Sequence, residues 1–424
     1  MSSVSTTSAP AAVPRRHPSF ASLRHAGFRP YLVGNALAMM ADSIEHVISY
    51  WVMYQKFHSP ALGGFAVISH WVPFLLFGVW SGALADRFDP RRIIQIGMAL
   101  FMLCSLTWAV LFHLGWLEEW HAVAILTVHG NASLFWGPAS QVLIHDIVGP
   151  EELPSAVRLM ATSRYLGLLA GPAVGGVILL ALGPSHGLLL NSLIYLPLTL
   201  WLARAPYGPR FRKEKIVSQR IRGLDDLVST VQIVASVRVL AAMTVLTGAY
   251  ALLVGNAYQA QMPGFARDLG HGDPGVLYSL LLGSDALGAF LAGIVLEGSG
   301  WLLPKARTAF ALAMLWCCAI SAFALAPTYP MALVALFCAG FLELSFNSMA
   351  QTLVQLNAPT DMRGRVIGFF GMSAIGLRAF SGVTVGIGGS LLGIHRSVAT
   401  CAVILLVVIA GLAWSMRAKP VPAE

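Results

Sequence analysis

Six charged side chains stand inside long apolar runs of this sequence: Asp42, Glu45, Arg164, Asp285, Glu343 and Arg378. Three histidines, His46, His70 and His129, share such runs. A carboxyl group in a partly dry setting can hold a proton and release it on hydration. Asp285 and Glu343 are therefore the first choice as proton carriers, with Asp42 and Glu45 as a second pair. An arginine in the same setting can pair with such a carboxylate or hold an anionic group of a bound molecule. Arg378, beside Ala374, Ser381 and Gly382, has room for either. Arg164, nearer the cytoplasmic side, is expected to pair with Asp146 or with residues of the Gly82–Arg92 motif. His46 can titrate near neutrality, although a lone buried histidine more often serves as a satisfied hydrogen-bonding group. Asp42, Glu45 and His46 with His70 or His129 offer ligands that suit several divalent ions. No recognised metal-ligand spacing is present, so no metal site is assigned.

Helical spacing groups these residues. Asn35, Asp42, His46 and Ser49 fall at i, i+7, i+11 and i+14 and form one polar stripe, with Glu45 adjacent. Tyr278 shares a face with Asp285, and Asn347 with Glu343. Trp136 and Tyr250, with Tyr50, Trp51, Trp71 and Trp80, could line an aromatic pocket, although packing accounts for any one of them. Asn256 and Gln259 follow Gly248 at the same offsets at which Asp42 and Glu45 follow Gly34. The substrate-cavity residues expected from the sequence are Asn35, His46, His70, His129, Trp136, Tyr250, Asn256, Tyr278, Asn347 and Arg378.

The elements that must position these groups follow from composition. Of 424 residues, 57% are hydrophobic and 11% charged, and the mean hydropathy is +0.72. Soluble domains carry roughly 25% charged residues, so a water-exposed globule is excluded. About 20 apolar residues cross the hydrocarbon as a helix. Runs of that length recur twelve times, at 29–57, 60–85, 92–114, 120–148, 155–182, 186–204, 239–265, 273–297, 306–326, 330–356, 364–393 and 396–416. The turns near 180–190 and 390–396 are the shortest. Residues 1–27 read as a disordered cytoplasmic tail, 28–205 as one six-helix bundle, 206–238 as a basic linker, 239–417 as a second bundle and 418–424 as a tail. Each buried charge would cost roughly 2.5–3.5 kcal/mol at a lipid-facing helix centre, so all six must face protein or a wet cavity.

Lys and Arg orient the chain. With the N-terminus inside, 22 lie in cytoplasmic segments, and only Lys56, Arg267 and Arg396 lie outside. This is a strong positive-inside bias and predicts cytoplasmic termini. The net charge of +8 belongs to short inter-span segments, which argues against a nucleic-acid partner. The five cysteines all lie in apolar runs without a Cys-x-x-Cys pair, so neither a disulfide framework nor a zinc site is expected.

Two motifs and an internal echo carry a family resemblance. The stretch 150–167 echoes 359–376 without a gap. Between spans 2 and 3 stands Gly82-Ala-Leu-Ala-Asp86-Arg87-Phe-Asp-Pro-Arg91-Arg92, which resembles motif A of the major facilitator superfamily, apart from Asp89 and Pro90. Gly167-Leu-Leu-Ala-Gly171-Pro172-Ala-Val-Gly175-Gly176 resembles motif C, the antiporter signature, with Arg158 replacing its earliest glycine. Phe28-Arg29, Met262-Pro263-Gly264-Phe265-Ala266-Arg267 and Arg363-Gly364-Arg365-Val366 are similar to the branch of enterobactin exporters and macrolide efflux proteins. The resemblance spans about 20–417. It implies an all-α membrane protein of two pseudo-symmetric six-helix bundles. In that fold spans 1, 2, 4, 5, 7, 8, 10 and 11 line a cavity, and all six buried charges fall on them. It also implies that Gly82, Asp86, Arg87, Arg91 and Arg92 form a conformational switch. Motif C has a plainer reading, in which small residues let two helices approach closely.

The expectation is a bacterial inner-membrane transporter that rocks two bundles about a midplane site. It would export a small amphipathic organic molecule, such as a drug-like compound or siderophore, as a monomer. It would use the proton gradient and no cofactor. Uptake by proton symport and, less readily, divalent metal-ion transport are the alternatives. No His-Glu-x-x-His, nucleophile elbow or phosphate loop suggests an enzyme.

Overall fold

The computed structural model describes residues 20–57, 60–211, 223–255, 257–270, 274–299, 303–381, 389 and 391–417. Long apolar runs leave backbone groups no partner but one another, and the described passes are almost wholly helical. The first three are α1 (Phe28–Phe57), α2 (Pro60–Arg87) and α3 (Pro90–His113). The stretch Glu119–Ile194 is broken at Gly149 (φ 74°) and Gly183 (φ 72°). Both are left-handed conformations that favour glycine, and they divide it into α4 (119–148), α5 (150–182) and α6, which runs from 184 through Leu196–Arg204. The turn near 180–190 is thus one glycine.

The second half begins with α7, in two pieces, Arg238–Leu253 and Ala257–Leu269. Then come α8 (Pro274–Ser299), α9 (Ala306–Ala324) and α10 (Tyr329–Asn357). The next pass, α11, opens as Arg363–Gly371 and runs on through a π-helical turn, Met372–Gly376, to residue 381. The last is α12 (Ile394–Arg417). The described residues are consistent with twelve passes, six in each half of the chain. Eight helical stretches among the described residues are long and apolar enough to cross a membrane. On the outer helices, Leu106 and Val110 of α3, Leu200 of α6, Leu315 of α9 and Val407 and Trp414 of α12 are exposed, an apolar surface suited to lipid.

One end of the bundles carries the linker and is called here the linker face. Within the linker, Leu224–Ser236 is a helix docked at the bundle junction. Its Asp226 is buried against Arg365 at 3.0 Å, and Trp80 Nε1 donates to the Gly223 carbonyl at 3.0 Å. Nearby, Ala21–Arg24 forms a turn, and Ser22 is buried, its N–H donating to Ser155 Oγ at 3.1 Å. Order therefore begins inside the stretch expected to be a tail.

The bundles lock together at this face. Asp86 accepts from the backbone N–H groups of Gly364 (2.6 Å) and Arg365 (2.9 Å). A carboxylate thus caps the positive N-terminus of α11. The approach needs glycine, because a methyl group on Gly82 would overlap the Gly364 carbonyl. The motif arginines do not make this lock. Arg91 pairs with Asp89 at 2.6 Å and donates to the Ala205 carbonyl, Arg92 donates to Gln95, and Arg87 lies over the Phe88 ring. The Asp89-Pro90 departure from the motif is an N-cap followed by a first-turn proline. A second lock joins Arg158 of α5 to Glu297 of α8 at 2.7 Å, with Ser155 also donating to Glu297. Arg158, the residue that departs from motif C, is thus an inter-bundle ion pair.

The glycines of motif C seat α5 on α1. A methyl group on Gly171 would overlap Ser43 Cβ, and on Gly167 it would lie 2.9 Å from Met39 Cβ. Gly176 has nothing within 4 Å of such a group. Gly171→Leu is therefore expected to destabilise the protein by about 1–3 kcal/mol through overpacking. Gly176→Ala is expected to be neutral or slightly stabilising. Thermal unfolding in detergent separates the two. Asp86→Asn removes the charge from the α11 N-terminus and should weaken linker-face closure by about 1–2 kcal/mol. Spin labels at Phe88→Cys and Asn357→Cys should then show a larger population of the separated distance.

Candidate functional site

Asp42, Arg164, Asp285, Glu343 and Arg378 stand at one depth. Each lies about 14 or 15 residues from the linker-face end of its helix, roughly 21 Å along the axis at 1.5 Å per residue. His129 and His70 lie a turn deeper. Five helices thus bring their charges to one level near the middle of the passes.

In the N-terminal bundle the polar stripe of α1 meets α4. His129 is wedged between two carboxylates, with Nε2 2.9 Å from Asp42 Oδ1 and Nδ1 2.9 Å from Glu45 Oε1. Two carboxylates accept together only from a ring protonated on both nitrogens, or else one carboxyl is itself protonated. Either way the triad holds one proton. Ser105 of α3 donates to Glu45 Oε2, and Asn191 of α6 donates to Ser105 at 3.1 Å. The network therefore runs through the bundle to the outer helices, although Glu45 is only 2% exposed. His46 Nδ1 lies 2.7 Å from the Asp42 carbonyl. Its ring packs edge-on against His129 (4.9 Å between centroids) and His70 (5.2 Å).

In the C-terminal bundle two carboxyls share a tyrosine. Tyr258 Oη lies 3.0 Å from Asp285 Oδ2 and 3.0 Å from Glu343 Oε2. Gln259 donates to Asp285 Oδ2 at 3.0 Å, and Tyr250 donates to Glu343 Oε1 at 2.5 Å. Asp285 Oδ1 is buried without a partner. Both carboxyls are about as buried as a core leucine, at 4% and 5% exposure. Tyr258, absent from the residues singled out by sequence, is the centre of this cluster. It follows a break in α7 at Val254 and Gly255 (φ 45°), which no sequence spacing marked.

Between the bundles lie the two arginines. Arg378 stacks over Tyr250 (5.6 Å) and Trp71 (6.0 Å), and its Nε donates to the Ala374 carbonyl. It forms no ion pair with Asp285 or Glu343; Tyr258, Gln259 and Tyr250 are their hydrogen-bond donors instead. Arg164 does not pair with Asp146. The charges bearing on it are Arg378, Glu343 and Asp42, since it stands 14 residues along α5 while Asp146 lies at the linker-face end of α4. Tyr165 of α5 spans to Glu343 at 3.4 Å and is the one described hydroxyl that joins α5 to this cluster.

Other residues expected at the cavity lie elsewhere. Asn35 is 4% exposed and bonds Ser163 inside the N-terminal bundle, and Trp136 packs edge-on against Phe101 at 8% exposure. Tyr250 is fully buried, with Arg378 above its ring. Asn347 is half-buried one turn from Glu343. Asn256 and the side chains of Pro172 and Tyr278 lie outside the described residues. The sequence also passed over Glu297, which stood at the edge of span 8, and Asp226, which was grouped with the linker.

The family model described as transmembrane secretion effector matches residues 17–422. The staphyloferrin A transporter of Staphylococcus aureus is 24% identical over 144 residues, or 34% of this chain and 36% of that protein. The match thus spans little more than a third of that relative's length. Two solved structures share the architecture. The E. coli fucose:proton symporter superposes with a TM-score of 0.73 at 13% identity, covering 93% of this chain and 98% of that one. The human organic anion transporter TETRAN gives 0.73 at 14% identity, covering 92% and 99%. At such identities these two likenesses are ones of fold. The match along nearly the whole chain, on twelve passes with their charges gathered at mid-depth, makes this protein a member of the transmembrane secretion effector family of major facilitator superfamily transporters.

Proposed function

We propose that this protein is a proton-coupled secondary transporter that exports a small amphipathic organic molecule, a drug-like compound or siderophore, across the bacterial inner membrane by alternating access. The observation that carries this reading is the position of Tyr258 Oη, 3.0 Å from both Asp285 and Glu343. A hydroxyl has one hydrogen to donate. The second contact is a hydrogen bond only when that carboxyl is protonated, so the pair retains one proton between two acids. Hydration or an approaching cation would release it. The Asp42–His129–Glu45 triad holds a second proton in the other bundle.

The substrate would sit between these clusters. Arg164 and Arg378 offer an anionic group two guanidinium donors, and the half-buried Trp71 offers an apolar face. Such a pairing suits an amphipathic molecule bearing carboxylates. The relative named for staphyloferrin A and the neighbour named as an organic anion transporter agree with that class, and the neighbour named as a proton symporter agrees with the coupling. The Lys and Arg bias places the linker face in the cytoplasm. The locks at Asp86 and Glu297 then close the cytoplasmic side, which leaves the site to be reached from outside. Proton entry from that side and substrate exit to it belong to one exchange cycle. Import by symport would use the same residues, and the direction of coupled flux decides between them.

In proteoliposomes containing a pH-sensitive dye, a panel of carboxylate siderophores and drug-like compounds should yield one whose flux is driven by an imposed pH gradient. Glu343→Gln or Asp285→Asn should cut gradient-driven accumulation at least about tenfold while leaving passive exchange intact. Full coupling in both variants would sink the assignment. Arg378→Gln should weaken binding of carboxylate compounds by about 1.5–3 kcal/mol, roughly 10- to 150-fold, and change the affinity of uncharged ones little. Equal losses for both classes would remove its role as an anion contact.

A further inference from the structure

The structure assigns a second site, on α1, α2 and α4, to a borderline divalent transition-metal ion held by His46, His70 and His129. Nitrogen atoms of the three rings lie within 4.8 Å of one another. They come from three helices and meet at the inner wall of the N-terminal bundle, which sequence spacing did not reveal. An ion with bonds of about 2.0–2.1 Å draws its nitrogens to within about 3–4 Å of each other, so the rings need to turn inward by about an ångström. The half-buried His46 and His70 side chains have room to do so.

The hydrogen bonds already prepare the donors. A backbone carbonyl can only accept, so His46 Nδ1, 2.7 Å from the Asp42 carbonyl, carries the hydrogen. In the neutral ring Nε2 therefore keeps its lone pair. This arrangement, one nitrogen tied to a carbonyl and the other left free, orients histidine for a metal. His70 Nδ1 is buried without a partner, and an ion would satisfy it. His129 Nδ1 is held by Glu45 at 2.9 Å, the carboxylate–histidine support seen behind metal ligands. Its Nε2 would exchange the Asp42 oxygen for the ion, and that carboxylate would then supply neighbouring negative charge. Three imidazoles favour zinc, cobalt or nickel over magnesium or calcium, which prefer oxygen.

Binding is measured on the full chain in detergent, without transport, so its outcome is separate from that of the coupling scheme. Cobalt(II) titrated into the purified protein should give a saturable visible absorption of low-coordinate, nitrogen-ligated ion, displaced by zinc and unaffected by magnesium. His46→Ala and His70→Ala should each weaken cobalt binding at least about tenfold. His395→Ala, at the far side of α12, should leave it unchanged. A spectrum of the wild-type protein identical to that of aqueous cobalt overturns the proposal, whatever the folding of the variants. So does wild-type affinity in both His46→Ala and His70→Ala.

Discussion

A charge surrounded by hydrocarbon costs several kcal/mol, a large fraction of what holds any fold together. That cost dictates where this chain can put its few acids and bases. Glu45 is buried to 2% exposure and is tolerable only because His129 and Ser105 face its two oxygens. Asp285 and Glu343 are tolerable because Tyr258, Tyr250 and Gln259 supply hydroxyls and an amide. Each cluster draws on several helices at once, so satisfying the charges also ties the bundles together. The described parts of α3, α6, α9 and α12 carry no charged side chain at this depth, as the same constraint requires.

The two bundles meet where side chains are smallest. Gly82 and Gly364 allow backbone contact between α2 and α11, and this places the Asp86 carboxylate within hydrogen-bond distance of two N–H groups at a helix start. The interaction is strong in this geometry and vanishes once the helices part. The Arg158–Glu297 pair also joins the two halves on the linker-face side of the charged level, with Glu297 12 residues, or about three turns, from Asp285 on α8. The glycines of motif C act differently. They hold α5 against α1 within one bundle and keep Arg164 and Asp42 at matching depth.

The passes, their number and the helices that carry charge were legible in the sequence, because hydrocarbon thickness sets span length and the cost of burial restricts charge to inward faces. Asp42, Asp285, Glu343 and Arg378 could be singled out for that reason, before any contact was known. The boundaries expected after 148 and 182 fall at Gly149 and Gly183, where a left-handed backbone favours glycine. What tertiary structure alone decided is who meets whom. Tyr258 became the bridge between two acids through a break in α7, which no periodicity announces. Arg164 turned from a surface partner into a mid-depth cation because depth along α5, not distance in sequence, sets its neighbours. His46, His70 and His129 are up to 83 residues apart in the chain and converge because three helices cross at one level. Burial is a property of one residue in its own helix, and sequence carries it. Pairing depends on the rotation and depth of two helices relative to each other, which only the packed bundle determines.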